Sequence, residues 1–323
     1  MRRIAPILAL LLFAACATDA TPTTTTVDSA TTTPATQPAP GSIGPASGFP
    51  LTVMADNGEV TIEKRPEAIV SLSPTATEML FAVGAGDQVI AVDDQSDFPT
   101  GVPTSDLSGF TPNLEAILSY QPDLVILSFE PADSPVSEGL AATGVSTLVL
   151  DGAQTLDDVY GQIEVIGKAT GNQEAATALN LAMQAEIDEI VSDTASSGQG
   201  LTYYHELDPS FFTATSETFI GQIYSLLGLV NIADQADTEG IGYPQLSAEY
   251  IVSQDPDLIF LADADFGESA ETLAERPGWG GMTALDDGAV VELDGDIASR
   301  WGPRIVNFLA TVADAVKTHA SAA

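Results

Sequence analysis

The chain has 323 residues, and 46 Asp and Glu residues against nine Lys and Arg residues give it a net charge of −37. Such an anionic surface repels nucleic acid and anionic lipid headgroups, so both are poor partners and we expect no nucleic-acid binding. Adaptation to a salty habitat explains the charge without any function, and we favour that explanation.

The N-terminus has the features of an export signal. Met1-Arg2-Arg3 is cationic, and the apolar run from Ile4 to Phe13 is too short to span a bilayer. Cys16, the only cysteine, follows two alanines and resembles the lipid-bearing residue of a bacterial lipoprotein signal, although Phe13 stands where leucine is usual. We predict a lipoprotein signal peptide over residues 1–15 and lipidation of Cys16. The alternative is an ordinary secretory peptide with a stray cysteine.

Residues 16–48 are rich in Thr, Pro, Ala and Ser and contain almost nothing able to form a hydrophobic core. Prolines keep a chain of this composition extended, and hydroxyl residues keep it hydrated. We therefore predict a disordered tether between the lipid anchor and a folded part.

The folded part begins near residue 49 with a predicted N-terminal lobe, residues 49–153. Apolar runs and helical segments alternate, which is typical of an α/β architecture with a largely parallel sheet. Predicted strands cover residues 68–72, 89–92, 123–128 and 146–150, and predicted helices cover residues 73–84 and 113–120. Ser73 or Thr75 is expected to cap the first helix and Gly84 to end it.

Residues 154–196 are predicted to be a helical linker. Apolar side chains at helical spacing run to a break at Gly171, and a second periodic stretch follows from Asn172 to Asp193. At ~1.5 Å per residue this second helix is about 33 Å long, which is enough to bridge two lobes.

Residues 197–323 repeat the plan of the first lobe as a predicted C-terminal lobe. Predicted strands cover residues 201–207, 211–215, 257–262 and 290–293. Predicted helices cover residues 216–228, 247–254 and 303–318, and Pro303 is expected to open the last of them.

Two distant segments of the chain nearly coincide: NLEAILSYQPDLVIL at residues 113–127 and SAEYIVSQDPDLIFL at residues 247–261. Each reads as a helix, a Pro-Asp turn and a buried strand. An ancestral duplication, or convergence on one design, predicts two similar lobes facing each other. The alternative is that this combination is simply a common turn between a helix and a strand.

Several motifs resemble one family: RPEAIVSLSPTATEMLFAVGAGDQVIAVDDQSDFP, GFTPNLEAILSYQPDLVIL, FFTATSETFIGQIYSLLGLVNIA and SRWGPRIVNFLATVADAV. In this order, over residues 64–317, the chain resembles the solute-binding lipoproteins of ABC importers for cobalamin, ferric siderophores and haem. The resemblance implies two Rossmann-like α/β lobes joined by one long helix, with a ligand cleft between the lobes and little closure on binding.

The resemblance also implies a function. We expect an extracytoplasmic substrate-binding component, lipid-anchored to the cell membrane, that delivers its ligand to an ABC permease dimer with its ATPase subunits and is itself a monomer. In the cobalamin-binding members a glutamate on each lobe docks into arginine pockets of the permease, and here those positions fall on Glu115 and Glu249. The alternative role is local, because a carboxylate in the first turn also favours the helix dipole by about 0.3–1 kcal/mol.

Ligands of parallel α/β lobes bind beyond the carboxyl ends of the strands. The residues predicted there as ligand contacts are Ser73, Thr75, Gln95, Phe110, Tyr204, His205, Tyr243, Arg300 and Trp301. Their aromatic and cationic members suit a large flat or amphipathic ligand such as a corrin, haem or siderophore. As alternatives, Ser73 and Thr75 only cap a helix, and Arg300 pairs with an acid such as Asp296. His205 is then a neutral histidine hydrogen-bonded within the protein.

The expected ligand is a metal-containing chelate, with no covalently bound cofactor. Arg300 and Arg304 are the only basic residues expected near the cleft, so we favour a corrinoid or a neutral or cationic hydroxamate siderophore over an anionic catecholate. Haem is an alternative ligand, and one histidine makes a site for a free metal ion weak. The chain has no GxSxG elbow, phosphate loop or Cys/His set, so we predict no catalytic residues. A non-transport surface protein or an α/β enzyme is the remaining alternative.

Overall fold

The computed structural model describes residues 48–131 and 133–322. The predicted signal peptide, Cys16 and nearly all of the predicted tether lie outside the described residues. No helix within the described ranges is long and apolar enough to cross a membrane.

A hairpin that the sequence patterns did not predict opens the N-terminal lobe. Its strands are β1 (Leu51–Ala55) and β2 (Gly58–Ile62), paired antiparallel.

The N-terminal lobe is built on a five-stranded sheet. Its strands are β3 (Ile69–Leu72), β4 (Val89–Asp93), β5 (Thr104–Leu107), β6 (Leu124–Leu127) and β7 (Ser146–Val149). They lie in the order β5-β4-β3-β6-β7, and every pairing is parallel. Its helices are α1 (Pro74–Ala82), α2 (Leu114–Ser119) and α3 (Pro135–Thr143). The strands and helices predicted for this lobe are confirmed within a few residues, whereas β5 and α3 were not predicted.

The central strands of this sheet are covered on both faces, which explains their continuous apolar runs. Side chains alternate between faces along a strand, so Leu124 and Ile126 enter the main core while Val125 and Leu127 enter a second, smaller core on the other face. A helix layer therefore lies on each side of β6.

Two helices follow the first lobe: α4 (Leu156–Thr170) and α5 (Gln173–Gly198). Gly171 separates them in the left-handed region with φ 76°, as the predicted break requires. At ~1.5 Å per residue, the 26 residues of α5 span about 39 Å, so this helix is longer than predicted. It packs against α4, which contacts the N-terminal lobe through α1 and β1.

The C-terminal lobe is built on a four-stranded parallel sheet in the order β11-β10-β8-β9. Its strands are β8 (Thr202–Glu206), β9 (Val230–Asn231), β10 (Leu258–Leu261) and β11 (Val290–Glu292). Its helices are α6 (Phe219–Ser225), α7 (Ala248–Gln254), α8 (Ala270–Glu275), α9 (Thr283–Asp286), α10 (Gly295–Ser299) and α11 (Ile305–Ala322). Helix α11 packs along α5, which therefore contacts elements of both lobes.

One prediction for this lobe is wrong. Residues 211–215 form no regular strand: Phe211 has φ 70°, and the segment is joined to residues 242–246 by one isolated bridge, between Phe212 and Gln245, and by a few backbone hydrogen bonds. The last helix is confirmed, although it begins at Ile305, two residues after Pro303.

The repeated sequence occupies equivalent places in the two sheets. Helix α2 leads into β6 beside β3, and α7 leads into β10 beside β8. The aspartate of each Pro-Asp turn accepts a hydrogen bond from the neighbouring strand: Asp123 from the backbone N–H of Ala68 at 3.1 Å, and Asp257 from that of Thr202 at 2.7 Å. In each lobe the repeat therefore forms the helix, turn and strand that add β6 beside β3 or β10 beside β8.

Candidate ligand cleft

The N-terminal sheet has a topological switch point between β3 and β6. From β3 the chain adds β4 and β5 on one side and then β6 and β7 on the other, so the connections diverge where β3 meets β6. In open α/β sheets the crevice outside the carboxyl ends at this point is the usual ligand site. Ser73 follows β3 and caps α1, and its Oγ lies 3.0 Å from Oγ of Ser128, which follows β6.

A cavity of about 210 Å³ opens at this switch point. The predicted contacts Ser73, Gln95, Phe110 and Trp301 all line it. Trp301 precedes α11 and therefore belongs to the C-terminal lobe, whereas the other three come from the N-terminal lobe. The cavity is accordingly formed by both lobes.

Two aromatic side chains meet across this cavity. The rings of Phe129 and Trp301 pack edge to face with centroids 5.8 Å apart. Phe129 has φ 56°, and its backbone N–H donates to Asp151 Oδ1 at 3.0 Å. Gly152 lies against both rings: a Cβ at this position would stand 3.3 Å from Phe129 and 3.4 Å from Trp301. Phe129 was not among the predicted contacts. The rule that predicted Ser73, a position just after a strand, applies equally to Phe129 after β6.

The hairpin helps to fix Phe129. The backbone N–H of Asp151 donates to Asp56 Oδ2 at 2.7 Å, and Asp56 lies at the turn between β1 and β2. Asn57 beside it pairs with the open edge of β7, donating to Thr147 O at 3.0 Å and accepting from Val149 N at 3.1 Å. The hairpin thus covers a sheet edge and orients the residue that holds Phe129.

Phe110 stands at the rim of the cavity with 86% of its surface exposed. It follows Gly109, where a Cβ would lie 2.6 Å from the carbonyl oxygen of Leu72 and 2.7 Å from Asp93 Oδ2. Only glycine allows this loop to approach the end of β3 so closely. An apolar ring held in water in this way is available to a ligand at little desolvation cost.

Asp93 is a second cavity residue that the sequence analysis missed. It is the last residue of β4, its side chain is buried, and Oδ1 has no hydrogen-bond partner within the described part of the chain. Burial raises the pKa of this carboxyl above its ordinary value, although hydrogen bonds from Ser96 oppose the rise.

Arg300, a predicted ligand contact, is bound instead in an ion-pair network between the lobes. Its guanidinium lies 3.1 Å from Glu78 Oε1, 2.9 Å from Asp97 and 2.7 Å from Asp296. Glu78, on α1, is 2% exposed and also receives two hydrogen bonds from Arg304, at 2.9 and 2.6 Å. The alternative of an Arg300–Asp296 pair is therefore confirmed, and the network fixes the segment that carries Trp301.

Two other predicted contacts lie in the core. Tyr204 and His205 are both 0% exposed. His205 Nδ1 is 2.8 Å from the hydroxyl of Tyr224, its ring packs against Phe308, and burial lowers its pKa to about 3. The structure therefore contradicts ligand contact for both side chains, and His205 is neutral. Thr75 is also buried and does not line the cavity.

Tyr243 lines a separate cavity of about 240 Å³ with Gln154 and Glu217, and 45% of its surface is exposed. A third cavity of about 410 Å³ shares lining residues or contacts with the other two. Gly152 lines it and touches the aromatic pair, and Gln154 lines both it and the Tyr243 cavity. We refer to these three cavities together as the candidate cleft.

Glu115 and Glu249 lie in equivalent exposed positions, each in the first turn of its helix. Asn113 caps α2 and Ser247 caps α7 through their side chains, so neither helix depends on its glutamate for a cap.

Within the described ranges, no group of three or more His, Cys, Asp or Glu side chains is placed to hold a metal ion. The cleft therefore offers surfaces and hydrogen bonds rather than a metal-binding cluster.

The chain is similar to several known proteins. A family model described as periplasmic binding protein matches residues 69–297. An ABC transporter substrate-binding lipoprotein of Bacillus subtilis, YvrC, is 31% identical over 83% of this chain and 86% of its own length. A cobalamin-binding protein of Halobacterium salinarum is 34% identical over 84% of this chain and 75% of its own length. The crystal structure of the periplasmic vitamin B12-binding protein of Vibrio cholerae superposes with a TM-score of 0.62 at 26% identity, covering 79% of this chain and 98% of that one.

Proposed function

The chain belongs to the periplasmic binding protein family, and from that premise we propose that it captures a metal-containing chelate, a corrinoid or a ferric siderophore, for an ABC importer. The family is one of solute-binding proteins rather than enzymes. A corrinoid is the first candidate because the relative from Halobacterium salinarum, 34% identical, is named a cobalamin-binding protein.

The observation that carries this proposal is the cavity at the switch point. It combines the exposed ring of Phe110, the Phe129–Trp301 pair and the hydroxyls of Ser73 and Ser128. Sites for small ligands typically combine such apolar surface with a few polar groups that fix orientation. Gln95 and Tyr243 complete our proposed contacts.

A thermal-shift screen of the purified exported chain tests this function. The ligands are cyanocobalamin, cobinamide, ferrioxamine B and haem. A ligand present at 100 times its dissociation constant stabilises the folded state by about 2.7 kcal/mol. We expect a rise in melting temperature with a corrinoid or with ferrioxamine B, and no shift with any of the four would contradict the proposal.

We further propose that Cys16 carries the lipid anchor and that the tether after it holds the lobes outside the cytoplasmic membrane. The name of the relative from Bacillus subtilis, a lipoprotein, supports this assignment. Metabolic labelling with a fatty acid tests it, because the Cys16→Ser variant should lose the label and leave the membrane fraction.

We propose that Glu115 and Glu249 dock the loaded protein on the two halves of the permease. Their equivalent positions in the two lobes suit a partner with two similar halves. The test is the double variant Glu115→Lys with Glu249→Lys, which should retain ligand binding and lose uptake.

The matched control is Glu138→Lys with Glu271→Lys. These are also exposed first-turn glutamates, one on α3 and one on α8. Equal loss of uptake in both double variants would show that the overall charge, and not the docking positions, is responsible.

A further inference from the structure

The cationic side chains of the described residues leave the candidate cleft without a free positive charge. They are Lys64, Arg65, Lys168, Arg276, Arg300, Arg304 and Lys317. Lys64 pairs with Asp123 before β6, at the edge of the sheet opposite the cavity. Lys168 lies in the last turn of α4, one turn beyond Val165, where this helix last lines the cleft, and Lys168 is not itself part of the lining.

The three arginines nearest the carboxyl ends of the strands are bound to carboxylates. Arg276 holds Glu206 at 2.7 and 2.6 Å and Glu268 at 2.7 Å. Arg300 and Arg304 share Glu78, as described above. Bidentate pairs of this kind satisfy most guanidinium donors, so they leave little capacity for an anionic ligand.

The lining of the cleft, by contrast, carries several carboxylates. No Lys, Arg or His lines any of its three cavities within the described ranges. The acidic residues that line them are Asp56, Asp93, Asp151, Asp157, Asp158, Glu217 and Asp237. Five of these are exposed: Asp56, Asp151, Asp157, Asp158 and Glu217.

The switch-point cavity also lacks a side chain suited to complete the coordination of iron. Proteins usually hold haem iron through His, Cys, Met or Tyr, and none of these lines that cavity within the described part of the chain. Met54 and Tyr243 line the other two cavities of the cleft and not the switch-point cavity. Burial raises the pKa of the Tyr243 hydroxyl, which opposes the phenolate form that binds ferric iron.

Resting on the proposed function, we infer that the cleft selects chelates that carry no net negative charge and whose metal is already fully coordinated. Aromatic rings and hydroxyls then make the contacts, and the carboxylates repel anionic ligands. Repulsion by nearby carboxylates in a partly hydrated cleft amounts to roughly a tenfold loss of affinity for each added negative charge.

Two matched ligand pairs test the charge requirement by isothermal titration calorimetry at low salt. The first is cyanocobalamin and its monocarboxylic acid, in which one side-chain amide is hydrolysed. The second is ferrioxamine B, with its free ammonium group, and N-succinylated ferrioxamine B, which ends in a carboxylate. We expect the monocarboxylic acid of cyanocobalamin to bind roughly tenfold more weakly than its partner. Succinylated ferrioxamine B differs from its partner by two charges, so it should bind roughly a hundredfold more weakly, and either difference should shrink as salt is added.

A variant separates the cleft from the overall charge of the protein. Asp157→Asn with Glu217→Gln should narrow the difference between the two members of a pair. Glu138→Gln with Glu271→Gln removes the same charge away from the cleft and should leave the difference unchanged.

The outcomes distinguish this inference from the function on which it rests. If no member of either pair binds, the proposed function fails and the inference fails with it. If the carboxylate member binds as tightly as its partner, the function stands and the charge requirement is overturned. If haem binds and its absorption spectrum changes in the Tyr243→Phe variant, Tyr243 coordinates the iron. That result would overturn the requirement for a fully coordinated metal.

Discussion

The carboxyl edges of the two sheets share a topology but differ in what fills them. In the N-terminal lobe the switch point between β3 and β6 is open and lined by Ser73 and Ser128. At the equivalent point between β8 and β10, the side chain of Glu206 is buried and bound to Arg276.

The difference arises from the segment that follows the second strand of each pair. After β10, residues 262–282 fold back over the strand ends. The guanidinium of Arg276 lies 4.7 Å from the ring centroid of Trp279 and 5.4 Å from that of Phe211. The C-terminal lobe consequently reaches the cleft through Trp301 and Tyr243 rather than through its strand ends. Duplication of a topology therefore does not duplicate a ligand site, because the loops decide which edge stays open.

The largest expected effect is the loss of stability on removing Arg276, which holds the C-terminal edge closed. Arg276→Met leaves Glu206 buried without a cation, and loss of one partner of a buried ion pair typically costs about 3–5 kcal/mol. We expect the free energy of unfolding, measured by urea denaturation, to fall by that amount.

Two further variants control this prediction. Lys317→Met, at an exposed position on α11, should change stability by less than about 0.5 kcal/mol. Adding Glu206→Gln to Arg276→Met should restore part of the loss, since no buried charge then remains. A loss below about 1 kcal/mol in Arg276→Met would show that the ion pair does not hold the segment over the strand ends.

Local sequence signals predicted much of this fold. Ser73 caps α1 and Gly171 separates α4 from α5, because polar caps and glycine act within a few residues. The segment 211–215 has strand-forming residues, but it joins no sheet of the described residues and Phe211 adopts a positive φ. Strand formation depends on distant partners, so composition alone gave the wrong answer.

Local signals also predicted part of the cleft, but not the contacts between residues distant in sequence. Ser73, Gln95, Phe110 and Trp301 were found because they follow strands or precede a helix, and the same rule extends to Phe129. Pairing of Arg300 with Asp296 was an alternative that the sequence offered, but its buried partner Glu78, 222 positions away, was not predictable. A neutral, hydrogen-bonded His205 was likewise an alternative, whereas its neighbours Tyr224 and Phe308, which come from two helices distant in sequence, were not predictable.

Asp263, at the closed edge of the C-terminal sheet, should make the stability of the protein depend on pH. Its side chain is buried, and neither carboxyl oxygen has a hydrogen-bond partner among the described residues. Burial, assisted by repulsion from Glu206, raises its pKa to about 7. The folded state therefore holds this proton more tightly than the unfolded state, whose ordinary value is 3.8.

The sign of the effect follows from that difference. The contribution of Asp263 to stability is fully present below pH 3.8 and is lost as the pH rises towards 7. Asp263→Asn cannot lose the proton, so its unfolding free energy should exceed that of the wild type at pH 8 by on the order of 1–2 kcal/mol more than at pH 4.5. Urea denaturation at both pH values measures this difference. A parallel pH dependence of the two proteins would show that Asp263 is ionised and hydrated throughout.

The smallest expected effect concerns Phe110 and Phe266, the two most exposed phenylalanines of the described residues, which lie one at each sheet edge. Phe110 is 86% exposed and lines the open cavity, while Phe266 is 89% exposed on the turn after β10 and lines none of the three cavities of the cleft. Neither ring contributes much to folding, so both alanine variants should unfold within about 0.5 kcal/mol of the wild type. Phe110→Ala should weaken ligand binding by about 1 kcal/mol, or roughly fivefold, because a ligand loses an aromatic contact. Phe266→Ala should leave the affinity unchanged, and an equal loss in both variants would mean that the ligand also reaches the edge that the buried carboxylates close.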